Sequence, residues 1–148
     1  MTKSFQIRPA TPADAAGLAA LVTALGYPTL ASQMAARLGS ILSDDDYSTL
    51  IAEEGGAAVG FVGIRRGVAY EADEPYAQIM ALAVAEDHRR HGIGGALMRA
   101  AETLLERSGI GLAVVTTGNQ RSDAHGFYEA NGYTFTGRRY VKRFAPAL

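Results

Sequence analysis

Between residues 89 and 96 the chain reads Arg89-Arg90-His91-Gly92-Ile93-Gly94-Gly95-Ala96, two guanidinium groups followed closely by three glycines. Glycine lets a backbone approach a ligand that a Cβ would hold away. A helix start offers unpaired N–H groups and about half a positive charge. Arginine adds forked donors that suit phosphate oxygens. Together they form a site for a phosphate or diphosphate, provided a strand leads in and a helix leads out. A Walker A loop needs a lysine after its glycines, and none follows here. A dinucleotide fingerprint needs a third glycine where Leu97 stands. The competing reading is a helix start packed tightly on a sheet, which has no need of Arg89 and Arg90.

Proton-transfer chemistry is less concentrated. His88, His91 and His125 titrate in a useful range, but their scatter points to no metal site. Glu71, Asp73 and Glu74 form a small carboxylate group upstream of an apolar run. The chain has no cysteine, which excludes disulfides, thiolate metal ligands and a cysteine nucleophile. No serine elbow appears, so no covalent acyl-enzyme is expected.

The elements that must position these groups can be read from periodicity and punctuation. Phe5–Arg8 predicts a short strand. Thr11-Pro12-Ala13-Asp14 opens a helix, with Thr as N-cap and Pro at the first position. Leu18, Leu21, Val22 and Leu25 share one apolar face, and Leu30, Met34, Leu38, Ile41 and Leu42 another. Ser48–Glu53 and Ala57–Ile64 flank Glu54-Gly55-Gly56, a hairpin signal. Arg65–Pro75 reads as loop. Gln78–Ala85 is continuously apolar, as for a strand buried on both faces. Ile93, Leu97, Ala101 and Leu104 lie at helical spacing, closed by Gly109. Leu112–Thr117 reads as another buried strand, Ser122–Ala130 as a helix ended by Asn131-Gly132, and Tyr133–Phe135 with Arg138–Phe144 as a final hairpin. The expectation is an α/β (α+β) protein with a mixed sheet and helices on both faces.

The 148 residues predict one domain over 1–148. A composition of 48% apolar and 20% charged residues is globular. No apolar run reaches the roughly 20 residues of a membrane span. The start lacks the apolar core of a secretory signal, so a cytoplasmic protein without membrane partners is expected. A net charge of −1 argues against nucleic acid as partner. That sum hides a division. Residues 41–87 carry ten acidic and two basic residues, whereas residues 88–148 carry nine basic and four acidic.

With those residues in view, the chain resembles the GCN5-related N-acetyltransferase (GNAT) superfamily. Arg89-x-x-Gly92-x-Gly94 matches the family's acetyl-CoA signature [Q/R]-x-x-G-x-[G/A]. Ala124-His125-Gly126-Phe127-Tyr128-Glu129-Ala130-Asn131-Gly132-Tyr133 is similar to its second motif, A-x-x-[FL]-Y-x-x-x-G-[FY], and the order of elements agrees along the chain. The tail, through Tyr133 and then Arg139-Tyr140-x-Lys142, resembles aminoalkylphosphonate and other small-amine N-acetyltransferases.

The resemblance implies acetyl-CoA as cosubstrate, no metal, and a small-molecule amine as acceptor. It implies a strand at Gln78–Ala85 splayed from the parallel strand Leu112–Thr117, admitting the pantetheine arm to the main chain of Leu82, Ala83 and Val84. An N–H near Leu82 would stabilise the developing oxyanion. Arg89, Arg90, His91, Gly92, Ile93, Gly94, Gly95 and Ala96 would hold the diphosphate. Tyr128 would stand near the thioester sulfur. An unperturbed phenol titrates near 10 and a thiol near 8.5, so hydrogen bonding to the leaving sulfur competes with full proton donation. Asn119 matches the family's pantetheine-binding asparagine loosely: it lies nine residues before Tyr128, and Arg121 holds the usual position. The family's strand glutamate has no counterpart in Ala77–Ala81, which leaves Glu71, Asp73 and Glu74, directly or through water, as the carboxylates for the ammonium proton. The acidic 41–87 segment favours a cationic amine. A protein or peptide acceptor, and a non-catalytic acyl-CoA sensor, are the other readings. Family analogy adds a possible homodimer.

Overall fold

The computed structural model describes residues 4–89, 91–116, 122–137 and 139–144, with side chains of Ser122 and Asp123 outside that description. Two compact units make up the chain, Met1–Val115 and Thr116–Leu148.

The first unit is built on a five-stranded sheet in the order β1-β2-β3-β4-β5. β1 is Gln6–Pro9, β2 Tyr47–Glu54, β3 Ala57–Gly67, β4 Tyr76–Val84 and β5 Ala113–Val115. The first three pairings are antiparallel and β4–β5 is parallel. The β2–β3 hairpin turns through Gly55 and Gly56, with φ of +58° and +81°. Two consecutive positive φ values match the right-handed twist of the flanking strands, and only glycine takes them without strain.

Helices cover both faces. Ile51, Phe61 and Ala83 stand opposite one another on neighbouring strands and share one face. They pack with Leu18 and Leu21 of α1 (Ala15–Ala24) and with Met34 and Leu38 of α2 (Ala31–Leu42). Gly60, one residue along and so on the other face, meets α3 (Ile93–Arg107). A Cβ built there would lie 3.1 Å from Ile93 Cγ2, 3.2 Å from Leu97 Cδ1 and 3.1 Å from the Ala83 carbonyl. Gly60 is therefore the position that lets the first turn of α3 settle on the sheet.

The edge strand β1 is tied by charge. Arg8 donates to Asp14 through both terminal nitrogens, at 2.8 and 2.9 Å, and through Nε to Glu53 at 2.6 Å. Asp14, only 8% exposed, also accepts from the Thr11 amide at 2.8 Å. The expected helix start is thus a 3-10 turn, Pro12–Asp14, whose carboxylate is neutralised by the strand before it.

Three expectations change. Arg65–Gly67 is strand rather than loop, paired with Gln78, Ala77 and Tyr76, because the Tyr76 ring lies over Gly67 and extends the ladder. The apolar runs at β4 and β5 are not buried on both faces: Met80 is 49%, Leu112 47% and Val114 41% exposed. Continuous hydrophobicity there reflects a parallel pair in which only three register positions are made among the described residues. Nor does the final hairpin form among the described residues: Tyr133–Gly137 and 139–144 carry no strand. A two-stranded ribbon has little stability alone.

The second unit contains α4, Ser122–Ala130. Gly132 ends it at φ +90°. The Tyr133 amide returns to the Tyr128 carbonyl at 3.0 Å, a glycine-terminated cap.

Candidate functional site

The β4–β5 ladder runs from Ala77↔Ala113 to Ile79↔Val115, while β4 continues to Val84. On its other side β4 stays paired with β3, at Leu82↔Val62, Ala83↔Phe61 and Val84↔Gly60. The register slips by one between Gly63↔Ala81 and Ile64↔Ile79, so Met80 is the extra residue of a bulge. A bulge bends a strand and re-aims its groups. It falls where the parallel ladder ends, so Leu82, Ala83 and Val84 run on without a partner strand on that side among the described residues.

The chain leaves β4 through a 3-10 turn, Glu86–His88, and Arg89 folds back so that its Nε donates to the Val84 carbonyl at 3.3 Å. Gly92 caps α3 at φ +80°. That left-handed conformation is one L side chains rarely take. The first intrahelical bond is Ala96 N–H to the Gly92 carbonyl, 3.0 Å. The amides of Ile93, Gly94 and Gly95 precede it and lie in the turn whose N–H groups have no helical acceptor. Of the expected residues, Leu82, Ala83 and Val84 lie at the end of β4, Arg89 follows the 3-10 turn, and His91 to Ala96 lead into and open α3. Arg90 and Asn119 lie outside the described residues.

Sequence reasoning missed two members of this neighbourhood. Arg99, one turn after Gly95, places Nη1 3.2 Å from where a Gly95 Cβ would be, adding a cation at the first turn. Its i,i+4 spacing from Gly95 is the signal that could have found it. The other is the setting of His88. Its Nε2 lies 2.6 Å from Glu54 Oε2 and its Nδ1 2.9 Å from Asp87 Oδ1. Two acceptors on both ring nitrogens require both to carry protons. Hydrogen bonding to Asp87, then to Glu54, raises the His88 pKa above its usual value despite desolvation.

The carboxylates lie elsewhere. Glu71 is on the exposed segment between β3 and β4, and Glu74 Oε1 sits beside Gly111, just before β5. From Tyr76 to Leu82 alone a strand spans about 20 Å, beyond the reach of one side chain. In the second unit, Tyr128 meets Phe127 and Tyr133 edge to face, with ring centroids 5.3 and 6.0 Å away. Among the described residues no three His, Cys, Asp or Glu side chains are grouped to hold a metal ion, and no helix is long and apolar enough to cross a membrane. A separate groove of about 580 Å³ runs between β1 and α3, lined by Ile7, Leu50, Leu104 and Arg107 among others. It shares Ala96 and Arg99 with the residues above and lies towards the opposite edge of the sheet.

A mixed sheet whose parallel pair is short among the described residues, with β4 running on into a glycine-started helix, is the α/β arrangement that the resemblance implies. The acetyltransferase (GNAT) family model matches residues 19–133, and the chain belongs to that family. The relative named "Probable N-acetyltransferase Rv2775", from Mycobacterium tuberculosis, is 34% identical over 95 residues, 64% of this chain and 51% of its own length. The chain thus spans about half the length of the curated relative it matches. A GNAT family acetyltransferase from Staphylococcus aureus superposes with a TM-score of 0.83 at 25% identity, over 96% of this chain and 100% of that one. The aminoglycoside N-acetyltransferase AAC(6')-Iy, solved with CoA, shares the fold with a TM-score of 0.83 at 20% identity, over 94% and 93% of the two chains.

Proposed function

We propose that this protein is an N-acetyltransferase that transfers acetyl from acetyl-CoA to the primary amine of a small cationic acceptor. Residues 1–148 act as one functional domain, and the amine attacks the thioester directly in a ternary complex. The observation that carries this reading is the junction of β4 and α3. On the β5 side, a stretch of β4 without a partner strand among the described residues offers main-chain groups for an amide-bearing arm. It leads straight into a left-handed glycine and a helix start for a diphosphate.

In this reading the main chain of Leu82, Ala83 and Val84 takes the pantetheine, with an amide near Leu82 turned to the oxyanion. Arg89, Arg90, His91 and the amides from Gly92 to Ala96 hold the diphosphate, and Asn119 contacts the arm. Tyr128 donates a hydrogen bond that strengthens as negative charge grows on sulfur. The attacking ammonium must first lose a proton. In this reading Glu71 and Glu74, upstream of β4, receive that proton through water. The ten acidic residues of 41–87 attract a cationic acceptor.

The test is thiol release measured with a panel of polyamines, aminoglycosides, peptides and aminoalkylphosphonates at equal concentration. Amine-dependent release, greatest with a small polycation, is expected. Release greatest with a phosphonate would refute the charge argument, and release greatest with a peptide would move the acceptor class. Tight acetyl-CoA binding with no amine-dependent release would make the protein an acyl-CoA sensor. A β4 without a carboxylate from Ala77 to Val84 is the feature that favours this second reading.

A further inference from the structure

We propose that His88 is a positioning residue for the acyl-CoA loop: bridging Glu54 and Asp87, it fixes the β2–β3 turn against the segment carrying Arg89 and Gly92, so acyl-CoA affinity follows the charge on its ring. This rests on the reading of that loop as the diphosphate site.

The geometry is specific. Glu54 is the last residue of β2, immediately before the Gly55-Gly56 turn, and comes from an element far away in sequence. Its Oε2 lies 2.6 Å from His88 Nε2, and both side chains are largely shielded, at 29% and 25% exposure. Asp87 takes the other ring nitrogen at 2.9 Å from the exposed side. Among the described residues a further titratable group facing His88 is His91, whose ring lies edge to face at 6.4 Å. Next along the chain, Arg89 is bonded to the Val84 carbonyl. A bridge at His88 thus sets the path of the residues between the end of β4 and the start of α3.

The clasp works within a window. Asp87 and then Glu54 raise the His88 pKa. Its contribution is therefore fully present below the ordinary histidine value of about 6.5 and fades as pH rises through the raised value. Both carboxylates are lowered, Asp87 chiefly by His88 and Glu54 chiefly by Ser4. Each contribution is retained above the ordinary pKa and lost on acidification through the lowered one. The bridge is strongest in mildly acidic solution. Neutral His88 retains at most one donor, and one of the two carboxylates loses its partner.

The experiment measures the Kd of acetyl-dephospho-CoA by calorimetry from pH 6 to 8.5, without amine. That ligand lacks the 3′-phosphate and has its thiol capped, so its own titration does not intervene. His91→Gln is used as the background to remove the second imidazole. In that background affinity should fall by about threefold from pH 6 to 8.5, the scale of a partly exposed ion pair. His88→Gln should leave affinity weak and flat with pH, and Glu54→Gln should move the fall to lower pH while keeping the protein folded by thermal melting. An unchanged pH profile in both variants overturns the inference while the acyl-CoA reading stands. Absence of acetyl-CoA binding by the unmodified protein at any pH overturns both.

Discussion

Gly92 and Arg89 contribute to the same turn by different means. Gly92 supplies a backbone conformation, so Gly92→Ala introduces strain of about 1–2 kcal/mol. This holds even though nothing lies within 4 Å of the added Cβ. Relief of that strain moves the amides of the first turn, and acetyl-CoA affinity should fall while the thermal midpoint drops by a few degrees, seen by calorimetry and melting together. Arg89 supplies charge. It is exposed, and its bond is to the main-chain carbonyl of Val84 rather than to a core side chain. Arg89→Ala should therefore raise the Kd for acetyl-CoA about tenfold with an unchanged melting temperature. Tyr128→Phe removes one hydroxyl from a ring held by Phe127 and Tyr133. Turnover should fall about tenfold, the scale of one hydrogen bond to a charged atom, with acetyl-CoA KM nearly constant. Unchanged turnover would remove Tyr128 from the reaction. Gly92, Arg89 and Tyr128 stand out in the sequence because glycine, arginine and tyrosine at fixed spacing form local motifs. The His88 bridge does not, since Glu54 meets it only through the pairing of β3 with β2 and β4.

Among the elements, sheet and helices follow the pattern of the chain closely where one face alone is buried. α1, α2 and α3 lie where the apolar repeats of Leu18, Met34 and Leu97 place them, and the Gly55-Gly56 turn lies between β2 and β3. Departures gather where the partner strand decides the outcome. Gln78–Ala85 and Leu112–Thr117 read as fully buried strands, yet Met80, the extra residue of the bulge, and Val114, inside the parallel ladder, are exposed. Gly60 shows the same dependence. Nothing in Ala58-Val59-Gly60-Phe61 announces a helix contact, but the residue is wedged among the Ala83 carbonyl, Ile93 and Leu97. The carbonyl is backbone and cannot yield as a side-chain end does. Gly60→Ala should therefore destabilise the fold by about 1–3 kcal/mol in denaturant melts. It should also weaken acetyl-CoA binding, because α3 must lift from the sheet at the turn that carries its amides.

Across the molecule, charge is both structural and functional. The Arg8–Asp14–Glu53 cluster joins the first strand to the 3-10 turn and to β2. Asp14 is held below its ordinary pKa, chiefly by the hydrogen bonds from Arg8. Its stabilisation is complete above about pH 4 and disappears as pH falls through the lowered value. Asp14→Ala should cost about 2 kcal/mol at neutral pH. The gap between variant and parent should narrow in melts at progressively lower pH. In the proposed function the acidic 41–87 segment acts at longer range. Added salt should raise the KM of a polycationic acceptor severalfold as the Debye length shrinks from about 10 Å at 0.1 M to about 3 Å at 1 M, with little change for a neutral amine.

The glycine turn, the helices around it, the charge division and the family resemblance are all written in neighbouring residues or in a short period, and a linear reading recovers them. How far the β4–β5 ladder runs among the described residues, that Gly60 seats α3, that His88 bridges Glu54 and Asp87 and that Glu74 lies beside Gly111 are properties of the folded chain. Each belongs to a pair of segments far apart in sequence. Only register and close packing bring such segments within the few ångströms over which hydrogen bonds and steric contacts act.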